Sequence, residues 1–165
     1  MQRFLCRGGA VGTAGGGHSW AMPTVERTFT VHAPIEKIGP YLADFANAEA
    51  WDPGTKTCTP LDGQPVQVGS RWKNVSEFMG RETELEYRLE RWEPDHLTLV
   101  GENKTVTSTD DISLRAVDAT STEITYHVDF DFHGVATLAG PLLKPALEKL
   151  GSDTEEKMTE VLATL

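Results

Sequence analysis

The sequence has too few basic residues for a protein that binds nucleic acid. Its 25 acidic side chains outnumber its 15 lysines and arginines, and the formal net charge is −10. Nucleic-acid phosphates demand basic surfaces, and anionic membranes also attract basic segments. The composition therefore disfavours both as partners.

Long apolar runs and structural disulfides are also missing. No stretch approaches the roughly 20 apolar residues that a membrane-spanning helix requires, so membrane insertion is not expected. Cys6 and Cys58 are the only cysteines, and Cys6 lies in a predicted tail, which makes a structural disulfide improbable. Such cysteine usage is typical of a reducing compartment, and we expect a cytoplasmic location.

The first 21 residues contain no acidic side chain and are dense in glycine. Such a segment has too little apolar area to offset the entropy of ordering. We therefore predict a disordered glycine-rich extension at residues 1–22 and a single ligand-binding domain at residues 23–165. Met22 is a candidate for the true start of the protein.

Two patterns near the end of the chain define the fold class. Residues 123–132 alternate between apolar and polar side chains, which predicts a strand with one buried and one wet face. Further on, apolar residues recur at spacings of three and four, which predicts one stripe of a long helix: Leu143, Leu147, Leu150, Thr154, Met158, Val161 and Leu165. We expect this helix to lie across the apolar face of the sheet.

Between residues 24 and 122 the patterns predict a strand, two short helices and further strands separated by turns. The first helix, residues 34–42, is expected to bend or break at Gly39-Pro40. Asp44 is a plausible N-cap for the second, which ends near Trp51. The order predicts an α+β fold with a curled antiparallel sheet of about seven strands around the C-terminal helix.

Several segments resemble one known family. Residues 31–38, VHAPIEKI, resemble the "v-x-A-P-x-E-x-V" opening of the START-like (SRPBCC) superfamily, in its polyketide cyclase/dehydrase and lipid-transport branch. Ala43-Asp-Phe45 followed by Trp51 resembles the helix pair of that branch, and Gly39-Pro40 departs from it. The resemblance covers residues 24–165. It implies a helix-grip fold with an internal cavity, in a family that includes carriers, cyclases, sensors and chaperone cofactors.

The predicted ligand-binding residues are mainly aromatic. They fit either a plain core or the lining of a cavity for a flat apolar molecule: Trp51, Trp72, Phe78, Tyr87, Tyr126 and Phe130. Asn74 shares the strand phase of Trp72 and could orient a polar end of the ligand.

Arg91 continues the inward phase of Tyr87 and Leu89, and could bind a ligand carboxylate or phenolate. Trp92 follows it directly, and a register change there would turn Arg91 outward. Both interpretations remain open.

Asp110 is the candidate catalytic residue. It lies in phase with Ile112 and Leu114, so in a regular strand it faces inward, where burial would raise its pKa and suit it to acid–base work. The alternative is that Asp110 and Asp111 mark a bulge or strand end in water, and two adjacent acids favour that alternative.

No metal or cofactor is predicted. His127, Asp129, Asp131 and His133 share one side of a strand, but residues i and i+2 stand about 7 Å apart there. Metal–ligand bonds are near 2 Å, so a solvated outer face is the favoured interpretation. The chain has no G-x-S-x-G, no H-E-x-x-H and no phosphate-binding glycine loop.

The function predicted from these observations is binding or transport of a hydrophobic small molecule such as a lipid, polyketide or aromatic. The alternative is a polyketide cyclase/dehydratase-type enzyme that uses a cavity acid or base, and a chaperone cofactor has less support. The expected partner is the small molecule, with the protein as a monomer or homodimer.

Overall fold

The computed structural model describes residues 22–165. The predicted extension at residues 1–22 therefore lies outside the described residues, apart from Met22. Seven strands form one antiparallel sheet: β1 (Thr24–Val31), β2 (Thr55–Pro60), β3 (Arg71–Phe78), β4 (Arg81–Glu93), β5 (His96–Glu102), β6 (Val106–Asp118) and β7 (Ser121–Phe132). The predicted strand count is confirmed.

The spatial order of the strands is β1-β7-β6-β5-β4-β3-β2. Consecutive strands from β2 to β7 are neighbours, and β1 joins the far edge by pairing with β7. A sheet of this size twists and curls, which gives it a concave face, and its edge strands β1 and β2 remain unpaired with each other. The α+β helix-grip prediction is confirmed.

Three α-helices accompany the sheet: α1 (Ile35–Ala43), α2 (Ala48–Trp51) and α3 (Gly140–Leu162). Short 3₁₀ helices precede α2 and α3, at Phe45–Asn47 and Gly134–Leu138. Asp44 caps the first of these, since its Oδ1 accepts a hydrogen bond from the backbone N–H of Ala46 at 3.2 Å. Among residues 22–165, no helix combines the length and apolarity that crossing a bilayer requires.

Helix α1 differs from the prediction that Gly39-Pro40 would interrupt it. Pro40 removes one backbone donor, yet the helix continues to Ala43. Ile38, Leu42 and Ala43 are fully buried, and this packing against the sheet outweighs the lost hydrogen bond.

Helix α3 has a buried face that differs in part from the predicted stripe. Leu147, Thr154 and Met158 are buried as expected, together with Gly151 and Leu162. Of the predicted stripe, Leu143, Leu150, Val161 and Leu165 are only half-buried. The helix rests closest to the sheet at Gly151, where an added Cβ would overlap Cγ1 of Val25 on β1.

Candidate functional site

The concave face of the sheet encloses a cavity of about 160 Å³ beneath α3. Its walls are mainly apolar and come from β1, β3, β4, β6, β7 and α3. The lining residues include Val25, Phe78, Leu85, Tyr87, Val106, Tyr126, Val128, Phe130, Phe132, Leu143, Leu147 and Leu150, with Asp52, Ser76, Glu77, Thr83, Ser108, Asp110 and Thr154 as the polar members.

The cavity exists because α3 does not cover the sheet evenly. The helix packs mainly on β1 and on α2, and Gly151 allows it to approach Val25 closely. Below the first half of α3, the helix packs far less closely on β3, β4 and β6 than on β1. Phe130 and Phe132 are accordingly only half-buried there, so the cavity opens toward that end of the sheet.

Asp110 lies in the cavity wall and is deeply buried, with 4% of its surface exposed. Its Oδ1 accepts a hydrogen bond from Ser108 Oγ at 2.9 Å, and its Oδ2 accepts one from the Tyr126 hydroxyl at 3.2 Å. Strand β6 passes through Asp110 without a register slip, opposite Leu99 and Val128. The alternative of a bulge or an exposed strand end at this position is therefore wrong.

Burial raises the pKa of Asp110 to about 7. The hydrogen bonds from Ser108 and Tyr126 oppose that rise because they stabilise the ionised form, whereas the nearby carboxylate of Asp52 adds to it. A carboxyl group with this pKa exchanges its proton near neutral pH, which is the property that general acid–base catalysis needs.

Asp52 is a second acid on the cavity wall, in the turn between α2 and β2. Burial raises its pKa, and hydrogen bonds from Thr55 and from the backbone N–H of Gly54 lower it. Thr55 Oγ1 donates to Asp52 Oδ2 at 2.7 Å, and Asn74 Nδ2 donates to Thr55 Oγ1 at 2.9 Å. Ser76 Oγ donates in turn to Asn74 Oδ1. This chain of hydrogen bonds fixes the Asp52 side chain.

Four of the predicted aromatic and polar ligand-binding residues line the cavity: Phe78, Tyr87, Tyr126 and Phe130. The ring of Tyr87 lies flat over Gly101 on β5, so closely that a Cβ at Gly101 would overlap it. The glycine therefore makes room for the ring and sets how far it reaches into the cavity.

Trp51, Trp72 and Asn74 do not line the cavity, which corrects their predicted contact with ligand. Trp51 and Trp72 are at most 1% exposed, and Phe45 packs against both in edge-on geometry with ring centroids 5.9 and 6.3 Å away. They belong to the adjoining core. Asn74 is equally buried and supports Thr55 and Ser76 from behind.

Arg91 lies outside the cavity: of its two interpretations, the register change is confirmed and ligand binding in the cavity is wrong. The register of β4 against β5 shifts between Leu89 and Arg91, because Glu90 is an extra residue in a bulge. The shift turns Arg91 to the outer surface, where its guanidinium donates to Glu93 at 2.6 Å.

The outer face carries the histidine and aspartate cluster that could suggest a metal. His127 Nε2 lies 3.1 Å from Asp129 Oδ1, and its Nδ1 lies 3.1 Å from Glu26 Oε2. These side chains pair with each other at the convex surface. Within residues 22–165, no three histidine, cysteine or acidic side chains converge as metal ligands.

Sequence reasoning missed Asp52 and Ser108. The Asp-Pro-Gly pattern marks Asp52 only as a turn residue, and its position next to the inward-facing Trp51 was the available signal. Ser108 shares the phase of Asp110 and Ile112, so the alternation that placed Asp110 inward also identifies it.

The chain matches the family described as polyketide cyclase / dehydrase and lipid transport over residues 22–165. No curated protein matches it in sequence.

Solved structures share the fold at low sequence identity. The Zhui aromatase/cyclase from Streptomyces sp. R1128 superposes with a TM-score of 0.68 at 17% identity, over 87% of this chain and 92% of that one. A START superfamily protein from Mycobacterium smegmatis gives 0.65 at 19% identity, over 86% and 94%. A protein from Thermus thermophilus gives 0.64 at 14% identity, over 84% and 99%.

Proposed function

The chain belongs to the polyketide cyclase/dehydrase and lipid transport family, and on that premise we propose that it binds a hydrophobic small molecule in the cavity beneath α3. The single observation that carries this proposal is the cavity itself, with its apolar walls and a buried polar end formed by Asp110, Ser108 and Tyr126. Such a combination holds an apolar body and orients one polar group.

The cavity volume limits the size of the ligand. An apolar cavity of roughly 150 Å³ in another protein holds benzene, so about 160 Å³ suits a molecule of one or two rings. A longer lipid or polyketide would require the first half of α3 to move away from the sheet. Binding would gain about 25 cal/mol for each Å² of apolar surface removed from water.

Two adjacent leucines on α3 provide a matched test. Leu143 lines the cavity, whereas Leu142 is 82% exposed and does not. We expect the neutral naphthalene dye prodan to bind the wild-type protein, Leu143→Trp to weaken it at least tenfold, and Leu142→Trp to leave the affinity within about twofold. Fluorescence titration measures all three. Absence of dye binding to the wild type, or equal effects of the two substitutions, would contradict the proposal.

Asp110 favours a second candidate function, a cyclase/dehydratase-type enzyme. With a pKa of about 7, its carboxyl could move a proton on a poly-ketone that the walls hold in a reactive conformation. The test is turnover of a poly-ketone substrate by the wild type and by Asp110→Asn. An enzyme would lose turnover in the variant and still bind substrate, whereas a carrier would show no turnover in either form.

A chaperone cofactor would need a broad exposed apolar surface. The start of α3 and the segment before it expose Val135, Leu138 and Leu142 by 80–90%. The other exposed large apolar side chains, such as Val68, Met79 and Val117, lie in separate segments of the chain, and we do not propose this role.

We also propose a cytoplasmic location. The support is the cysteine content: Cys58 is the single cysteine of residues 22–165 and is buried, so the described fold is built without a disulfide, as is usual in a reducing compartment.

A further inference from the structure

The charged residues that line the cavity are all acidic. Asp52, Glu77 and Asp110 contribute carboxylates, whereas no lysine, arginine or histidine of residues 22–165 lines it. Glu77 pairs at the rim with Lys56. Asp52 and Asp110 therefore remain as the acids that no cation of the described chain neutralises.

Asp110 also retains capacity to accept hydrogen bonds. An ionised carboxylate offers about four acceptor positions. Ser108 and Tyr126 each occupy one, which leaves about two positions without a donor. The charged group that acts on Asp110 is Asp52, another acid. The buried end of the cavity thus has fewer donors than acceptor positions and no positive charge from the described residues.

We propose that the ligand of this cavity is an amine with an apolar body, held with its ammonium group against Asp110 and Asp52. This inference rests on the proposed binding function and names the chemical class of the ligand. An ammonium group supplies the missing donors and the missing charge in one group, and charge-assisted hydrogen bonds of this kind are the strong ones. The rings of Tyr87 and Tyr126 add cation–π attraction at the same end.

The same geometry excludes carboxylate ligands such as fatty acids. A ligand carboxylate there would meet the like charges of the buried Asp110 and the half-buried Asp52, and the repulsion would be strongest at Asp110, which water does not reach. A neutral alcohol would find acceptors but no charge to pair with. Binding affinity should therefore be highest for an amine, lower for an alcohol and lowest for a carboxylate.

Binding of an amine should be linked to a proton. The titratable groups that face Asp110 are Asp52 from the α2–β2 turn, Tyr87 from β4 and Tyr126 from β7, and both tyrosines have pKa values raised well above 10 by burial. Of these groups, Asp110, with its pKa of about 7, is the one that changes charge between pH 5.5 and 8. Pairing with ammonium requires Asp110 to be ionised, so amine affinity should rise with pH across neutrality and the protein should release a proton on binding.

Three probes of one shape test the proposal: 2-naphthylmethylamine, 2-naphthalenemethanol and 2-naphthoate. Isothermal titration calorimetry at pH 8 should show the amine binding at least tenfold more tightly than the alcohol, with no detectable carboxylate binding. Asp110→Asn should weaken the amine at least tenfold and leave the alcohol within about threefold. Asp111→Asn, at the neighbouring acid that points to the outer face and pairs with His96, should change neither by more than about twofold.

A second measurement uses only the wild-type protein, so its result does not depend on whether a variant folds. Titrations of the amine at pH 7 in two buffers of different ionisation enthalpy should reveal proton release. If the alcohol binds but the amine is no tighter and releases no proton, the amine assignment is overturned while the binding function stands. If none of the probes binds and prodan does not bind either, the cavity function itself fails.

Discussion

The two ends of the concave face differ although one sheet forms both. At the end below α1 and α2, the inward side chains are fully buried and packed: Trp51, Trp72, Leu89, Leu97, Leu99, Ile112 and Ile124 are at most 1% exposed. At the other end, below the first half of α3, Phe78, Val106, Phe130 and Phe132 are only half-buried around the cavity. The first set is here called the closed end and the second the open end.

The difference lies in what covers each end. Strand alternation decides which side chains face inward, and it turns apolar side chains inward at both ends. Helix α1 packs against β4, β5 and β6 and fills the closed end, whereas α3 approaches the sheet along β1 and leaves the open end hollow. Asp110 and Tyr126 lie where the two ends meet. Whether an inward-facing aromatic side chain belongs to the core or to the cavity wall therefore depends on how closely a helix packs over it.

The largest expected effect is on the stability of the closed end. Trp51→Ala removes a fully buried ring packed on Phe45 and Tyr126, and should lower the free energy of unfolding by about 3–5 kcal/mol. Urea denaturation followed by circular dichroism measures it. A loss below about 1 kcal/mol would mean that the closed end is not a packed core.

Asp110, which lies where the two ends meet, should make the stability of the protein depend on pH. Because burial raises the pKa of Asp110 from 3.8 to about 7, the folded state binds more protons than the unfolded state in this range, and stability falls as pH rises. Between pH 5 and 8 the loss through Asp110 should be about 2–3 kcal/mol, and Asp52 acts in the same direction.

His127 also makes stability depend on pH in this range. The prediction for Asp110 is therefore the difference in pH dependence between the wild type and Asp110→Asn. Burial lowers the pKa of His127, and contacts with Glu26 and Asp129 raise it above its ordinary value. Its stabilisation also declines as pH rises. In Asp110→Asn, the free energy of unfolding should change between pH 5 and 8 by about 2–3 kcal/mol less than in the wild type. The part that comes from His127 should remain. An unchanged slope in urea denaturations at pH 5, 6, 7 and 8 would contradict a buried, protonated Asp110.

The close approach of α3 to β1 can be tested at Gly151. An added methyl group would overlap Val25 Cγ1, so Gly151→Ala should cost about 1–2 kcal/mol, the strain of overpacking less the gain in helix propensity. It should also widen the open end and alter prodan binding. Adding Val25→Ala should relieve the overlap, and a double-mutant cycle measures this coupling. Strictly additive effects would mean that α3 does not rest there.

The smallest effect on stability is expected at the open end itself. Phe130→Ala removes a ring that is half-buried and lines the cavity, so unfolding should change by only about 1 kcal/mol. Prodan affinity should nevertheless fall roughly tenfold, which corresponds to about 1.4 kcal/mol. Equal stability losses in Phe130→Ala and Trp51→Ala would remove the distinction between the two ends.

The fold was predictable from the sequence because it depends on periodicity. Alternation in residues 123–132 identified strand β7, and the spacing of Leu147, Thr154 and Met158 identified helix α3. The cavity lining was predictable only in part. Arg91 was left with two interpretations, because alternation alone cannot decide whether a bulge adds a residue before it. Trp51 and Trp72 fitted both a core and a cavity lining, because the packing of α1 and α2 that places them in the core is a tertiary property.

The measurement that tests the central claim most directly is native mass spectrometry of the protein as purified from cells, followed by denaturation and identification of any released molecule. A hollow open end predicts one apolar molecule for each chain, released on denaturation, and an amine among such molecules would support the assignment to Asp110 and Asp52. A protein that is empty and also fails to bind prodan would show that the open end is not a ligand cavity.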